Sequence, residues 1–476
     1  MKVVPELFET PTTRLTSRLL TTSVISTFAG GFHFGYLISA VNPLADILQQ
    51  FIVENLRIRY HLQLSSSHLA LLWSSLAGCL FVGAMIGAYL SVYLLQKIGP
   101  RKTLLTAATI LLVSTPVFGL AYSFDMAELL LVSRILSGIG FAIGISAQGV
   151  FLTEISPGES KCAPMRIFYN LFFPARYRGL TNSLSGLIGN IAFLLAACLG
   201  TPFLLGTVTH WKFIFWIEIS PCLIHILLNI LTFHDSPTYL LSIGKGGEAE
   251  ESLKAYYGET CHVKRVLEDL RIAQDSGNTQ KSLREILKDK AGAQALSLSV
   301  AINFSVAFSG IVAISFFGTF LLQNVGFSPE GSAVANSLCS FASIISALLA
   351  AIAIDKIGRR PLLISSLLIL ALINILMMSL VFLYDSTKDA ILAWPFLGLF
   401  VLFTFVFSIG IGPAAVFIGA ELAPPGTISK MQSYSTSVQS RRALSVCDST
   451  EQFRIHYCSA SRARMNPKLL RTVTYR

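Results

Sequence analysis

Lys97-Ile98-Gly99-Pro100-Arg101-Lys102 lies between two long apolar stretches, and Lys356-Ile357-Gly358-Arg359-Arg360-Pro361 repeats its pattern about half a chain later, again between apolar stretches. A short basic turn recurring in the same hydropathic setting marks an internal duplication, and duplicated apolar segments of this length predict two related helical bundles. Composition agrees: 53% of the 476 residues are hydrophobic and 13% are charged, and the mean hydropathy is +0.64. A water-soluble chain of this length does not carry that balance.

Working outward from the two turns, apolar segments of about 20 residues, enough to span roughly 30 Å of hydrocarbon, begin near Leu19, Leu69, Thr103, Ala127, Leu180 and Trp211. Four more begin near Gln294, Gly331, Leu362 and Ala390. The expected architecture is therefore an all-α polytopic membrane protein of six plus four transmembrane helices. Residues 1–18 read as a cytoplasmic N-terminus, 19–233 as a six-helix bundle and 234–293 as a cytoplasmic loop between bundles. Residues 294–422 read as an incomplete bundle of four helices, and 423–476 as a basic, disordered cytoplasmic tail lacking a segment able to cross a bilayer.

Charge sets the orientation. With the N-terminus cytoplasmic, all but five of the 36 Lys and Arg residues fall on the cytoplasmic side, the exceptions being Arg57, Arg59, Arg134, Lys212 and Lys388. The net charge of +10 then reflects loops beside anionic lipid, and nucleic-acid binding is excluded as an explanation. The first apolar segment is too long for a cleavable signal and reads as a retained signal-anchor. No Cys-x-x-Cys pair, clustered histidines or glycine-rich phosphate loop supports a metal or nucleotide, so no cofactor is expected. No paired carboxylates or nucleophile–base set recommends an enzyme.

The ordered motifs resemble those of the sugar porters of the major facilitator superfamily, the group that contains the facilitative hexose transporters. Gly30-Gly31-Phe32-His33-Phe34-Gly35-Tyr36 with Asn42-Pro43 resembles the family's glycine-rich opening, and the two basic turns resemble its Gly-x-Arg-Arg/Lys signatures. Glu154-Ile155-Ser156-Pro157, Arg178-Gly179, Ser236-Pro237, Gly410-Ile411-Gly412-Pro413 and Ala420-Glu421-Leu422 follow in family order, so the resemblance covers Thr21 to Leu422. It implies the major facilitator fold, a plasma-membrane location and alternating access of two bundles about a midplane site.

Arg101, Lys102, Glu154, Arg178, Asp355, Arg359, Arg360 and Glu421 map to cytoplasmic helix ends. Opposite charges there can pair across the bundles, latching the cytoplasmic side and breaking when the bundles rock apart. Positive-inside anchoring alone accounts for the basic members and leaves the carboxylates unexplained. Arg134 is an intramembrane charge, costly unless paired, hydrated or snorkelling to the interface. In proton-coupled sugar porters an aspartate follows the Phe-Gly-Tyr near this arginine; Leu37 stands there in this chain. Facilitated diffusion, not proton symport, is therefore expected.

Hexose porters hold sugar with a Gln-Gln pair and an asparagine on helix seven, where this chain has Val306, Ala307 and Val312. At the positions of the family's helix-five glutamine, helix-eight asparagine and helix-ten tryptophan stand Gly186, Ser343 and Val416. The polar candidates left for a sugar or small polyol are His33, Asn42, Asn190, Ser309 and Ser343, each more readily explained by helix packing or lipid-depth hydrogen bonding. Two further expectations concern the chain itself. Residues 158–174 read as an insertion beside the gate, and the short second bundle allows a non-transporting isoform, regulatory or without a role, that associates with a full-length homologue.

Overall fold

The computed structural model describes residues 17–62, 65–155, 176–258, 263–276, 283–412, 415, 422, 427 and 430–447. The expected insertion at 158–174, Glu421 and the tail beyond 447 lie outside the described residues, as do the side chains of Arg178, Asp355 and Arg359.

Helices run α1 Ser17–Thr27, α2 Gly31–Ser39, α3 Ala45–Tyr60, α4 Ser66–Ser123, α5 Glu128–Ile155, α6 Arg176–Leu199, α7 Trp211–Ile217 and α8 Ile219–Thr232. Four short helices follow, α9 Pro237–Ser242, α10 Gly246–Tyr257, α11 Val263–Ser276 and α12 Leu283–Lys288. The second half comprises α13 Lys290–Phe308, α14 Ile311–Asn324, α15 Pro329–Ile357, α16 Arg359–Thr387 and α17 Ala393–Ile409, with a last helix, α18, over 430–447.

Seven described helical segments are long and apolar enough to cross a membrane, where the sequence reading expects ten. The first expected span is broken at Phe28–Gly30 into α1 and α2, and the 53-residue segment Leu71–Ser123 holds both spans expected from near Leu69 and Thr103. That segment turns at Gly99, whose φ of 81° and ψ of 167° are not helical. Only glycine takes this conformation without strain, and a β-carbon there would also lie 2.5 Å from the Tyr239 ring. Gly358 in the second basic turn has nearly the same backbone, φ 87° and ψ 156°. The duplication read from the two signatures is thus a duplicated backbone turn.

Two large apolar cores form, with a smaller one around Phe151 and Phe233. One joins α2 to α8 around Tyr36, Trp73, Phe118, Trp211 and Phe215; the other joins α13 to α17 around Ile314, Leu370, Phe396, Phe400 and Phe403. The halves meet where α15 runs along α6 and α14 touches α2. The short helices α9–α11 share a small core of Leu240, Leu253 and Val266 and are tied to the first half by Tyr257, whose hydroxyl donates to the Ile155 carbonyl at 2.9 Å.

The tail expectation is corrected over 430–447. That stretch is a helix with Met431, Ser435, Ser440, Ala443 and Cys447 buried, lying between α4 and α13. Ser433 Oγ is 2.8 Å from Ser91 Oγ, Ser435 Oγ is 2.9 Å from Ser299 Oγ, and Asn303 Nδ2 donates to Ser435 Oγ at 2.5 Å. Mean hydropathy misses such a helix because much of its buried face is Ser and Thr, small residues that allow close approach and hydrogen-bond across helices.

Candidate functional site

A cavity of about 190 Å³ lies between the two halves. Its wall draws Phe34, Ile38 and Asn190 from the first half, Val312, Asn336 and Ser343 from the second, and Thr436, Gln439 and Ser440 from α18. Most of the wall is apolar, with hydroxyls and amides set into it. Among the described lining residues there is no carboxylate, imidazole, ammonium or guanidinium. Such a cavity suits an uncharged ligand that is both apolar-faced and rich in hydrogen-bonding groups.

One end is closed by contact between halves. Thr319 Oγ1 on α14 lies 2.8 Å from Asn42 Oδ1 and 3.1 Å from the Asn42 carbonyl, and the Thr319 N–H donates to Asn42 Oδ1 at 3.3 Å. Near the cavity midpoint α13 and α14 are separated by Gly310, at φ 95°, and Asn374 Nδ2 donates at 2.8 Å to the freed Ser309 carbonyl.

Of the five expected ligand residues, Asn190 and Ser343 line the cavity. Asn190 Nδ2 donates to the Gly186 carbonyl at 3.0 Å, and Ser343 Oγ to the Cys339 carbonyl at 3.1 Å. The other three are placed elsewhere. Asn42 forms the closure with Thr319. Ser309 is buried at the break between α13 and α14, its hydroxyl donating to the Val306 carbonyl at 2.7 Å. His33 faces the interior of its own bundle, Nδ1 lying 2.7 Å from Glu218 Oε1 with neither side chain exposed. Its other ring nitrogen is 3.4 Å from Cys222 Sγ.

Arg134 completes that interior cluster and does not snorkel: it is 1% exposed. Its Nη1 donates to the Leu37 carbonyl at 2.8 Å, and its guanidinium lies 5.7 Å from the Phe118 ring centre. Where the side chain of residue 37 offers no carboxylate, the backbone oxygen supplies the acceptor. Arg134 Nη2 and Glu218 Oε2 are buried without a hydrogen-bond partner among the described residues.

At the end carrying the first basic turn, Arg101 departs from the expected pairing with a carboxylate of the other bundle. Its Nη2 donates to the carbonyls of Asn229 at 3.1 Å and Ile230 at 3.3 Å. These belong to the last turn of α8, where unpaired carbonyls and the negative end of the helix dipole attract a cation. Glu154 accepts a hydrogen bond from Ser236 of the same half. Lys102 and Arg360 are exposed. Beside them burial pushes the Asp235 carboxyl up, against the opposing pull of Arg101 and Lys102. Burial and the neighbouring Arg18 push the His234 imidazole down.

Residues the sequence reading missed are Gln148, Asn336 and the α18 face. Gln148 Oε1 accepts from the Gly31 N–H at 2.9 Å, and its Nε2 donates to Ser185 Oγ at 2.6 Å, fixing the start of α2. An amide inside an otherwise apolar span is the signal that singles out Gln148 and Asn336; α18 offers none on a hydropathy scale.

Two helical bundles about a shared cavity with no charged side chain among its described lining residues define a carrier of the major facilitator fold. Residues 22–443 match the family model described as "Sugar (and other) transporter", and the chain belongs to that family; the match runs into α18. It is an integral membrane protein and a transporter, not an enzyme. Facilitated glucose transporter protein 1 of Caenorhabditis elegans is 27% identical over 419 residues, covering 87% of this chain and 78% of that protein. Solute carrier family 2, facilitated glucose transporter member 4 of Homo sapiens is 27% identical over 433 residues, covering 88% and 79%. The fold matches a solved structure of the proton:xylose symporter XylE bound to 6-bromo-6-deoxy-D-glucose, with TM-score 0.76 and 20% identity over 93% of this chain and 90% of that one. XylE from E. coli in a partially occluded inward open conformation matches with TM-score 0.71 and 20% identity over 92% and 93%.

Proposed function

We propose that the chain carries a hexose or a related small polyol across the plasma membrane by facilitated diffusion, its two bundles alternating access to the cavity with the N-terminus cytoplasmic. The wall, mostly apolar with hydroxyls and amides set into it and no charged group among its described residues, carries this reading: a neutral polyhydroxylated ligand finds partners there, whereas an ion would be stripped of water without a counter-charge. Sugar transport by the relatives supports the cargo class. Uniport is supported by Leu37 and by the arrangement of the ionisable side chains. His33 and Glu218 pair inside the first bundle, Arg134 donates to the Leu37 carbonyl, and none of the three lines the cavity, so among the described residues no titratable carboxylate or imidazole meets the cargo.

Opening at the Arg101 end would part the bundles there, while the Asn42–Thr319 contact holds the other end shut. Radiotracer uptake into vesicles containing the purified chain tests the reading. Saturable uptake that equilibrates, and that an imposed proton gradient does not drive uphill, is the expected result. Accumulation against a sugar gradient when a proton gradient is applied would replace uniport by symport. Absence of uptake, together with co-purification of a full-length homologue, would favour the regulatory role instead.

A further inference from the structure

The cavity wall carries one amide whose position the cargo class alone does not explain. Asn336 sits in α15, in the span Pro329–Ala350, is 4% exposed and lines the cavity. Its Nδ2 is buried without a hydrogen-bond partner among the described residues. Neighbouring hydroxyls are differently placed. Ser340 Oγ donates to the Asn336 backbone carbonyl at 2.9 Å, Ser343 Oγ to Cys339, and Thr436 and Ser440 each to their own preceding turn. A buried amide left without a partner is destabilising, so its presence on a cavity wall calls for a partner that comes and goes.

A second orphan lies close by. Asn42 spends its Oδ1 on Thr319, and its Nδ2 is buried without a partner among the described residues. The two amides flank Gly318: a β-carbon at 318 would lie 3.2 Å from Asn42 Nδ2, 3.6 Å from Asn336 Oδ1 and 3.0 Å from Phe400 Cζ. The absent side chain lets the two amides and the Phe400 ring close on the α14 backbone, so Gly318 is where Asn336 of the cavity wall comes next to the Asn42 contact.

We propose that Asn336 is a substrate-orienting residue, its side-chain amide hydrogen-bonding one hydroxyl of a hexose or polyol bound in the cavity. The inference rests on the sugar-carrier reading and adds to it which end of the cavity fixes the ligand's orientation. It also supplies, from a position two turns of α15 away from Ser343, an amide of the kind absent at Ser343 itself. Because Asn336 approaches Gly318 next to the Asn42–Thr319 contact, a ligand hydroxyl that it holds is bound close to the join between the halves.

The test uses the full chain in proteoliposomes with a panel of D-glucose, D-fructose, D-xylose, myo-inositol and glycerol, followed by the monodeoxy analogues of whichever member the wild type transports. Asn336→Ala is expected to raise KM for that member by about tenfold or more, the size of one lost hydrogen bond to a buried group, with the maximal rate little changed. One monodeoxy analogue should show the same loss in the wild type and no further loss in Asn336→Ala, because the two changes remove the same bond. Asn336→Leu keeps the volume and removes the orphan amide. A purely packing role for Asn336 predicts that this variant unfolds at a higher temperature with unchanged KM, and that result overturns the proposal, as do losses in Asn336→Ala that simply add to those of every analogue. Failure of the wild type to take up any member of the panel removes the carrier reading itself, and this inference with it.

Discussion

Thr319 and Asn42 join the two halves across 277 positions of chain, the threonine offering both its hydroxyl and its backbone N–H to one asparagine. A carrier has to break such a contact once per cycle, so its strength must be modest. Hydrogen bonds contribute about 1 kcal/mol each in net terms, large enough to bias an open–closed equilibrium and small enough to be reversed by binding or release of a ligand.

Thr319→Val keeps the shape and removes the hydroxyl. The open form at that end should gain population by about fivefold, the factor that corresponds to about 1 kcal/mol. Cys339 reports it: it lines the cavity and is 2% exposed. A membrane-impermeant maleimide should label Cys339 faster in the variant by a similar factor. Equal labelling rates would show that the contact does not gate access.

His33 and Glu218 form a buried pair in which each carboxylate or imidazole depends on the other. Removing one partner leaves the other uncompensated, at a typical cost of about 3–5 kcal/mol. His33→Leu and Glu218→Leu should each lower the thermal unfolding temperature of the detergent-solubilised protein sharply. The double variant, with no stranded group on either side, should recover much of the loss. Single variants as stable as the wild type would show that the pair does not hold α2 against α8.

His234 gives the pH dependence. Arg18 Nη2 lies 2.8 Å from His234 Nε2; arginine only donates, so that ring nitrogen accepts and the imidazole is neutral. Its affinity for a proton is lower in the folded protein than its ordinary 6.5, so the unfolded chain binds the proton more tightly. The stabilisation is therefore present above about pH 6.5 and is lost as pH falls below it. Unfolding temperatures measured from pH 8 to pH 5 should decline, and His234→Gln should flatten that slope. Parallel curves for the two proteins would remove His234 as the cause.

The basic turns were legible because a glycine with positive φ between two apolar segments leaves a local trace, and Gly99 and Gly358 adopt matching backbones. Ser343 was legible as a cavity residue because it aligns with the family's helix-eight asparagine, and Asn190 only as a polar residue left near the expected cavity. Asn42, His33 and Ser309 share the same polar signature and point elsewhere. The choice among cavity, neighbouring helix and own backbone is made by helix rotation, and a single polar residue in an apolar run does not report rotation. Arg101 shows the same limit: its charge locates it at a helix end, but whether it meets a carboxylate or the carbonyls of Asn229 and Ile230 depends on how closely α8 approaches.

The chain's amino-acid order by itself determined the membrane class, the helical duplication and the glycine turns, since these follow from hydropathy over about 20 residues and from the backbone freedom of single positions. Only the tertiary structure decided that 430–447 is a helix seated between the halves, that His33 meets Glu218 rather than the cavity, and that Asn336 and Asn42 come together at Gly318. Those outcomes depend on contacts between residues far apart in the chain, where a serine-rich face or an orphan amide acquires its meaning from the surface it is packed against.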